Sequence, residues 1–323
     1  MSEVRQVEHV HLSPNQRAWR RFKSNRIAAV SGALLIALVL IVMAGPILSR
    51  PTIRNYVPAA LAQSPLALSD LQFGAPSGEH WLGTDVHGRD LLSRVLYGAR
   101  ISLLVGIVGA GVSLVIGVLW GALAGYLAGR WDSIMMRIVD ILYTVPSIIF
   151  VILLISAWEA VLKDQMARAF SAEMVARARL IFLFVGLGAV SWLTMARIVR
   201  GEVLSLRTRN FIDASRALGA SHARILFRHI LPNVSGVIIV YLTLTVPSIV
   251  LHESFLSYLG LGIQPPQASL GSLIAEGAAQ INPIRVYWWM IIPPCGFLAA
   301  TLLALNFVGD GLRDAFDARL ESR

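Results

Sequence analysis

An all-α, polytopic membrane protein is the fold class that this sequence predicts, on three observations. Of its 323 residues, 56% are hydrophobic and only 15% are charged, outside the range of a soluble globular domain. Uncharged runs recur at 27–49, 101–129, 141–158, 180–196, 229–252 and 286–309. A hydrocarbon core takes about 17–25 helical residues to cross, so six transmembrane helices are expected. With both termini in the cytoplasm, the cytoplasmic segments hold 18 of the 28 Lys and Arg and the external segments 10, the bias that orients membrane proteins. The spans must be helical, because backbone groups left unpaired in lipid are too costly.

The elements follow in order. Residues 1–26 form a basic cytoplasmic tail in which "RAWRRFKSNR" (17–26) predicts an amphipathic helix at the membrane surface, with a solvated tail as the competing reading. The run 27–49 exceeds the about 7–15 apolar residues of a signal core and follows a long polar segment, so it is an uncleaved first transmembrane helix. The extracytoplasmic segment 50–97 begins rich in Pro and Gly and turns helical in "RDLLSRVLYGAR" (89–100). Residues 98–309 hold the other five spans. Span two carries Ser113, Gly117, Gly121, Gly125 and Gly129 at every fourth position, a smooth stripe for close helix packing in lipid. Pro146 and Pro247 fall inside spans three and five, where proline removes a backbone hydrogen bond and kinks the helix. The external stretch 159–179 carries four basic residues, balanced in part by Glu159, Asp164 and Glu173, and predicts an amphipathic interfacial helix. A cytoplasmic loop at 197–233 and a cytoplasmic tail at 310–323 complete the chain.

What is missing narrows the function. The middle thirds of the six spans contain no Asp, Glu, Lys, Arg or His, which argues against an ion-coupled carrier. A phosphate-binding loop needs lysine after glycine, and the two lysines, Lys23 and Lys163, follow Phe22 and Leu162. No G-x-S-x-G elbow or H-E-x-x-H pair is present, so the chain is read as non-catalytic, without a cofactor or metal of its own. Cys295 is the single cysteine, which excludes an intrachain disulfide. The formal charge of +9 has its explanation in the lipid bilayer, and no basic patch interleaved with aromatics points to nucleic acid. Two polar features keep two readings each. "GTDVHGRD" (83–90) is a metal or substrate site, or a hydrogen-bonded turn whose Asp caps the following helix. His252 and Glu253 are pathway groups at an outer gate, or interhelical hydrogen-bond partners.

The loop contains "FIDASRALGASHARILFRHILPN" (211–233), a polar, helix-forming stretch between apolar runs. Asn210 is placed to cap a short helix, with Asp213 near the positive end of its dipole. Phe211, Ala214 and Leu218 share one face. Gly219 is placed to end that helix in the left-handed conformation. Ser221 can then cap a second helix, which Pro232 stops or bends. The product is a helix, a glycine turn and a helix between spans four and five. Packing on the bundle and docking on another protein are both open on the pattern alone.

The stretch resembles the "EAA" loop of bacterial ABC importer permeases, whose pattern is E-A-A, three residues, Gly, and a spacer to I-x-L-P. Here the matching residues are Asp213, Ala214, Ser215, Gly219, Leu231 and Pro232, with His229 in place of the usual Ile. "LGTDVHGRDLLSRVLYGARISL" (82–103), "ESFLSYLGLGIQPP" (253–266) and "NFVGDGLRDAFDAR" (306–319) extend the likeness, in the right order, to the C-type permease subunit of oligopeptide and dipeptide importers. The stretch 163–179 is longer than that pattern. The resemblance implies a bacterial inner-membrane heterodimer with a second permease subunit. It also implies two ATPase subunits that bind ATP and Mg, and an extracytoplasmic binding protein that delivers di- or oligopeptides. The helix 211–218 would seat on an ATPase. The same architecture carrying a non-peptide solute, such as a nickel chelate, remains the alternative.

Overall fold

A computed structural model describes residues 14–48, 58 and 61–316; the rest of the predicted tails and of the 50–97 segment lie outside the described residues. Helix α1, Pro14–Ser24, lies against the bundle through buried Ala18 and through Phe22, which reaches Gly32 and Gly311, and it leaves Trp19 exposed. It leads into α2, Arg26–Leu48. The second long helix, α3, spans Leu91–Leu127: the helix read at 89–100 runs unbroken into the span predicted from residue 101, and Asp90 caps it, accepting from the Ser93 backbone N–H at 2.8 Å. Charged Arg94 is tolerated in this early turn because acids from two other segments surround it.

The kink predicted at Pro146 in span three is present, as a full break. Instead of one helix over 141–158, α4 (Gly129–Thr144) and α5 (Ser147–Ala157) meet at 85°. The cause is Pro146: its ring pushes the preceding Val145 into an extended conformation, φ −80° and ψ 122°, and the helix restarts after it. The predicted interfacial helix at 159–179 is divided as well. A π-helical turn (Trp158–Leu162) and α6 (Lys163–Ala169) precede α7, Ala172–Leu206, whose start is capped by Ser171. Span four is thus longer than the predicted 180–196. Helix α8, Asn210–Ala217, and a short α9, His222–Arg224, form the hairpin. From α9 the chain continues through a π-helical stretch (Ile225–Ile230) into α10, Leu231–Tyr258, one 37-residue span from His222 to Tyr258. On the far side lies α11, Leu270–Ala278, and α12, Ile292–Phe316, returns to the hairpin side.

The bundle is held by the long contact between α3 and α7. A Cβ on Gly117 would stand 2.6 Å from the Met195 Cβ, one on Gly125 would stand 2.8 Å from the Arg200 carbonyl oxygen, and one on Gly121 would overlap the Ala196 backbone. Ser113 is fully buried at the head of the same stripe. Gly129 leaves it: with φ +61° and open space around it, this glycine starts α4. Small residues allow backbone-to-backbone approach, which replaces the hydrophobic driving force that lipid does not supply. Outward-facing Ile27, Val30, Ile107, Val115, Ile292 and Leu303 give the bundle its apolar exterior.

Candidate functional site

The hairpin begins where α7 ends. Arg207 donates to the carbonyl of Tyr126 at 3.0 Å, tying the exit of α7 to the end of α3. Asn210 is the first helical residue of α8 and not its cap; Arg209 holds the cap position in an extended conformation, and no side chain caps the end. Asp213 instead pairs with Arg216 one turn on, at 2.9 Å, on the exposed surface. Ser215 donates back to the Phe211 carbonyl at 2.8 Å. At the other end, the Gly219 N–H bonds to Arg216 O and the Ala220 N–H to Ser215 O, with Gly219 at φ +78°. That is the Schellman arrangement, and it needs the left-handed residue that glycine provides.

Ser221 accepts from the Arg224 N–H, as predicted, and the Tyr126 hydroxyl meets His222 Nδ1 at 2.7 Å. Pro232 neither stops nor breaks the helix that follows. The Leu231 N–H reaches back to the Leu226 carbonyl, a π-type bond, and the widened turn admits a proline at the next position without losing the helix.

The two faces of α8 then differ sharply. Ile212 is fully buried against Val199, Val203, Ile225 and Ile230. Phe211 is 43% exposed and Leu218 is 88% exposed, and Ala214 lies between them on the open face. The predicted apolar strip points away from the bundle, while its neighbour Ile212 grips the root of α10.

A groove of about 520 Å³ opens on the flank between α5, α7 and α10. Tyr143, Pro146 and Ser147 line it from the α4–α5 break, Ser191 and Thr194 from α7, and Tyr241, Thr245, Ser248 and His252 from α10. The α10 residues recur at helical spacing on one face. Pro247, buried inside α10, directly precedes Ser248 of that face. Ser191 and Thr245 donate to the carbonyls of Leu187 and Tyr241, so their oxygens keep lone pairs for the groove. At the hairpin end Arg197 stacks over Tyr143 at 4.1 Å and pairs with Asp140 at 2.8 Å. Of these residues, the sequence marks only His252 as a pathway group and Pro146 as a kink. The hydroxyls carry no pattern of their own, and only the 85° break brings Tyr143 and Ser147 beside α7 and α10.

Glu253 parts company with His252. Its carboxylate is fully buried and accepts from Ser102 Oγ of α3 at 2.8 Å and Ser257 Oγ at 2.6 Å, so it is an interhelical partner and not a groove group.

The 83–90 segment is a hydrogen-bonded turn. Asp85 Oδ1 accepts from the backbone N–H groups of His87 and Arg89 at 2.7 and 2.9 Å, and Oδ2 from Arg89 Nε at 2.7 Å. Arg94 bridges Asp85 Oδ2 and Glu276 Oε2, each at 2.5 Å. Burial pushes the Asp85 carboxyl up, but the Arg89 N–H, the Arg94 charge and the other donors outweigh it and hold the group below the usual carboxylate range. A folded value below the unfolded one, about 3.9, means stability that is present at neutral pH and lost as pH falls through the folded value. Asp85→Asn is therefore expected to lower the thermal midpoint at pH 7 and to flatten the acid limb. Breaking a buried pair costs up to about 3–5 kcal/mol. Melts of the purified protein at pH 7 and pH 4 check this, and a parental midpoint at pH 7 would contradict it.

A helical bundle with a groove on one flank and a projecting, half-buried hairpin defines an integral-membrane permease. Residues 117–322 match the family described as "Binding-protein-dependent transport system inner membrane component", and residues 13–65 match "N-terminal TM domain of oligopeptide transport permease C". The chain belongs to the first of these families and is a permease subunit of an ABC importer. Oligopeptide transport system permease protein OppC of Escherichia coli K12 is 44% identical over 304 residues, 94% of this chain and 91% of the relative. Dipeptide transport system permease protein DppC of Bacillus subtilis is 40% identical over 318 residues, 98% of this chain and 90% of the relative. A chain of the inward-facing MetNI methionine ABC transporter aligns with a TM-score of 0.53 at 20% identity, over 70% of this chain and 97% of that one, a likeness of fold.

Proposed function

We propose that the chain forms half of a translocation pathway for di- and oligopeptides in a bacterial inner membrane, with both termini cytoplasmic. The observation that carries this reading is the division of α8: an outward strip of Phe211, Ala214 and Leu218, and an inward Ile212 wedged against the start of α10. A surface built this way passes a push from a docked partner directly into a helix that lines the groove. Two ATPase subunits, which bind ATP and Mg, supply the push; a second permease subunit closes the open flank of the groove; an extracytoplasmic binding protein delivers the peptide. The names of the relatives favour peptides as cargo. The groove agrees, since its hydroxyls suit the amides of a peptide backbone.

The test is the complete complex in proteoliposomes. Trialanine uptake is expected with ATP and absent with a proton or sodium gradient alone, and gradient-driven uptake without ATP would sink the proposal. Orientation is tested in a Cys295→Ser background, where an external impermeant thiol reagent is expected to label Ala75→Cys and spare Ala220→Cys. The reverse pattern would overturn the assignment of sides.

A further inference from the structure

Glu253 has a role to explain, because it lies at the outer end of α10 and its partners among the described residues are all neutral. Ser102 Oγ and Ser254 Oγ donate to its Oε2 at 2.8 and 3.4 Å, and Ser257 Oγ donates to its Oε1 at 2.6 Å. Two of these hydroxyls pass the connection on. Ser102 Oγ accepts the Leu270 N–H at 3.3 Å, and Ser257 Oγ accepts the Ile263 N–H at 3.1 Å. Each hydroxyl gives its proton to the carboxylate and takes an N–H from the segment 259–278, which caps the outer side of the bundle. Such a network is rigid when every member is satisfied.

The backbones around it leave no room for sliding. A Cβ on Gly98 of α3 would stand 2.9 Å from the Ser269 carbonyl carbon, one on Gly262 would stand 2.6 Å from the Ser257 Cα, and one on Gly271 would stand 2.5 Å from the Ser254 Cα. The far part of α11 is held separately, by Arg94 to Glu276 at 2.5 and 2.9 Å. The cap is thus pinned to α3 at two places and to α10 through Glu253. The next residue back, His252, lines the groove.

We propose that Glu253 is a positioning residue that makes the outer turn of α10, the cap 259–278 and the facing turns of α3 move as one body. A binding protein pressing on the cap then shifts the groove wall at His252. This rests on the importer function proposed above. Pro247 is placed to let that outer turn swing, since proline removes a backbone hydrogen bond about one and a half turns earlier.

The experiment uses the full complex in proteoliposomes, with Glu253→Gln and, separately, Ser102→Ala, and the binding protein preloaded with trialanine. Both variants are expected to assemble and to hydrolyse ATP at the parental basal rate. Stimulation by the loaded binding protein is expected to fall about fivefold or more, the range of an allosteric coupling. Parental stimulation in both variants overturns the inference. So does failure to assemble, or an equal fall in basal and stimulated rates, because either assigns Glu253 to packing alone. If the parental complex itself shows no stimulation, the importer function fails and takes this inference with it.

Discussion

Leucine in place of Gly121 is expected to abolish accumulation of the folded protein. A Cβ at that position would overlap the backbone of Ala196, and Gly117 and Gly125, one turn to either side, are as closely packed against Met195 and Arg200. A side chain of the facing helix can rotate away, but a carbonyl in mid-helix cannot. The helices α3 and α7 would have to separate along the whole stripe, so the cost exceeds the about 1–3 kcal/mol of ordinary overpacking. Gly111, on the same helix with open space around it, supplies the control: Gly111→Leu is expected to accumulate like the parent. Detergent-solubilised yield and size-exclusion profile of the two variants measure this. Equal, monodisperse yields of Gly121→Leu and the parent would refute the packing assigned to the stripe.

The hairpin carries the second large effect, and here the fold is expected to survive. Gly219 has open space where a Cβ would go, so Gly219→Val meets no neighbour and acts through its φ of +78° alone. A β-branched residue there costs more than the about 1–2 kcal/mol typical of left-handed conformations, and the turn that aims α8 distorts. Asp213→Lys reverses a charge at the helix N-terminus and breaks only an exposed pair with Arg216, worth about 0–1 kcal/mol. Membrane levels are therefore expected to match the parent in both variants. Copurification of the ATPase subunits, or ATP hydrolysis stimulated by the binding protein, is expected to fall by at least about tenfold, or roughly 1.4 kcal/mol of docking energy. Parental uptake by both variants would reduce the hairpin to packing and remove the main support for the proposed coupling.

Much of the hairpin was legible because its signals are local. Left-handed glycine, a Ser cap at 221 and an i, i+3, i+7 apolar strip are properties of a few consecutive residues, and they stand where the pattern places them. The cap at Asn210 misled because two adjacent residues competed for one position, and the extended Arg209 took it. Pro232 does not stop the helix, for a different reason: its effect depends on whether the preceding turn can widen, and Ile225, Leu226 and Ile230, buried against α7 and α8, hold that wider turn in place.

Composition and periodicity by themselves determined an all-helical membrane bundle, its small-residue stripe and its polar hairpin, because solvation in lipid and helix geometry act residue by residue. Tertiary structure decided what sequence spacing cannot express. The sequence marks the kink at Pro146, but not its 85° angle, which turns the third span into two helices and opens the groove and depends on where α4 finds its partners, Asp132 with Arg200 and Asp140 with Arg197. The adjacent His252 and Glu253 were one motif in the sequence. About 100° of helical rotation sends one to the groove and the other to Ser102, which lies 151 residues away along the chain. Arg94 sits in a spanning helix because Asp85 and Glu276, from two distant segments, complete its charge. Each of these depends on which helices become neighbours, and that is a property of the packed bundle alone.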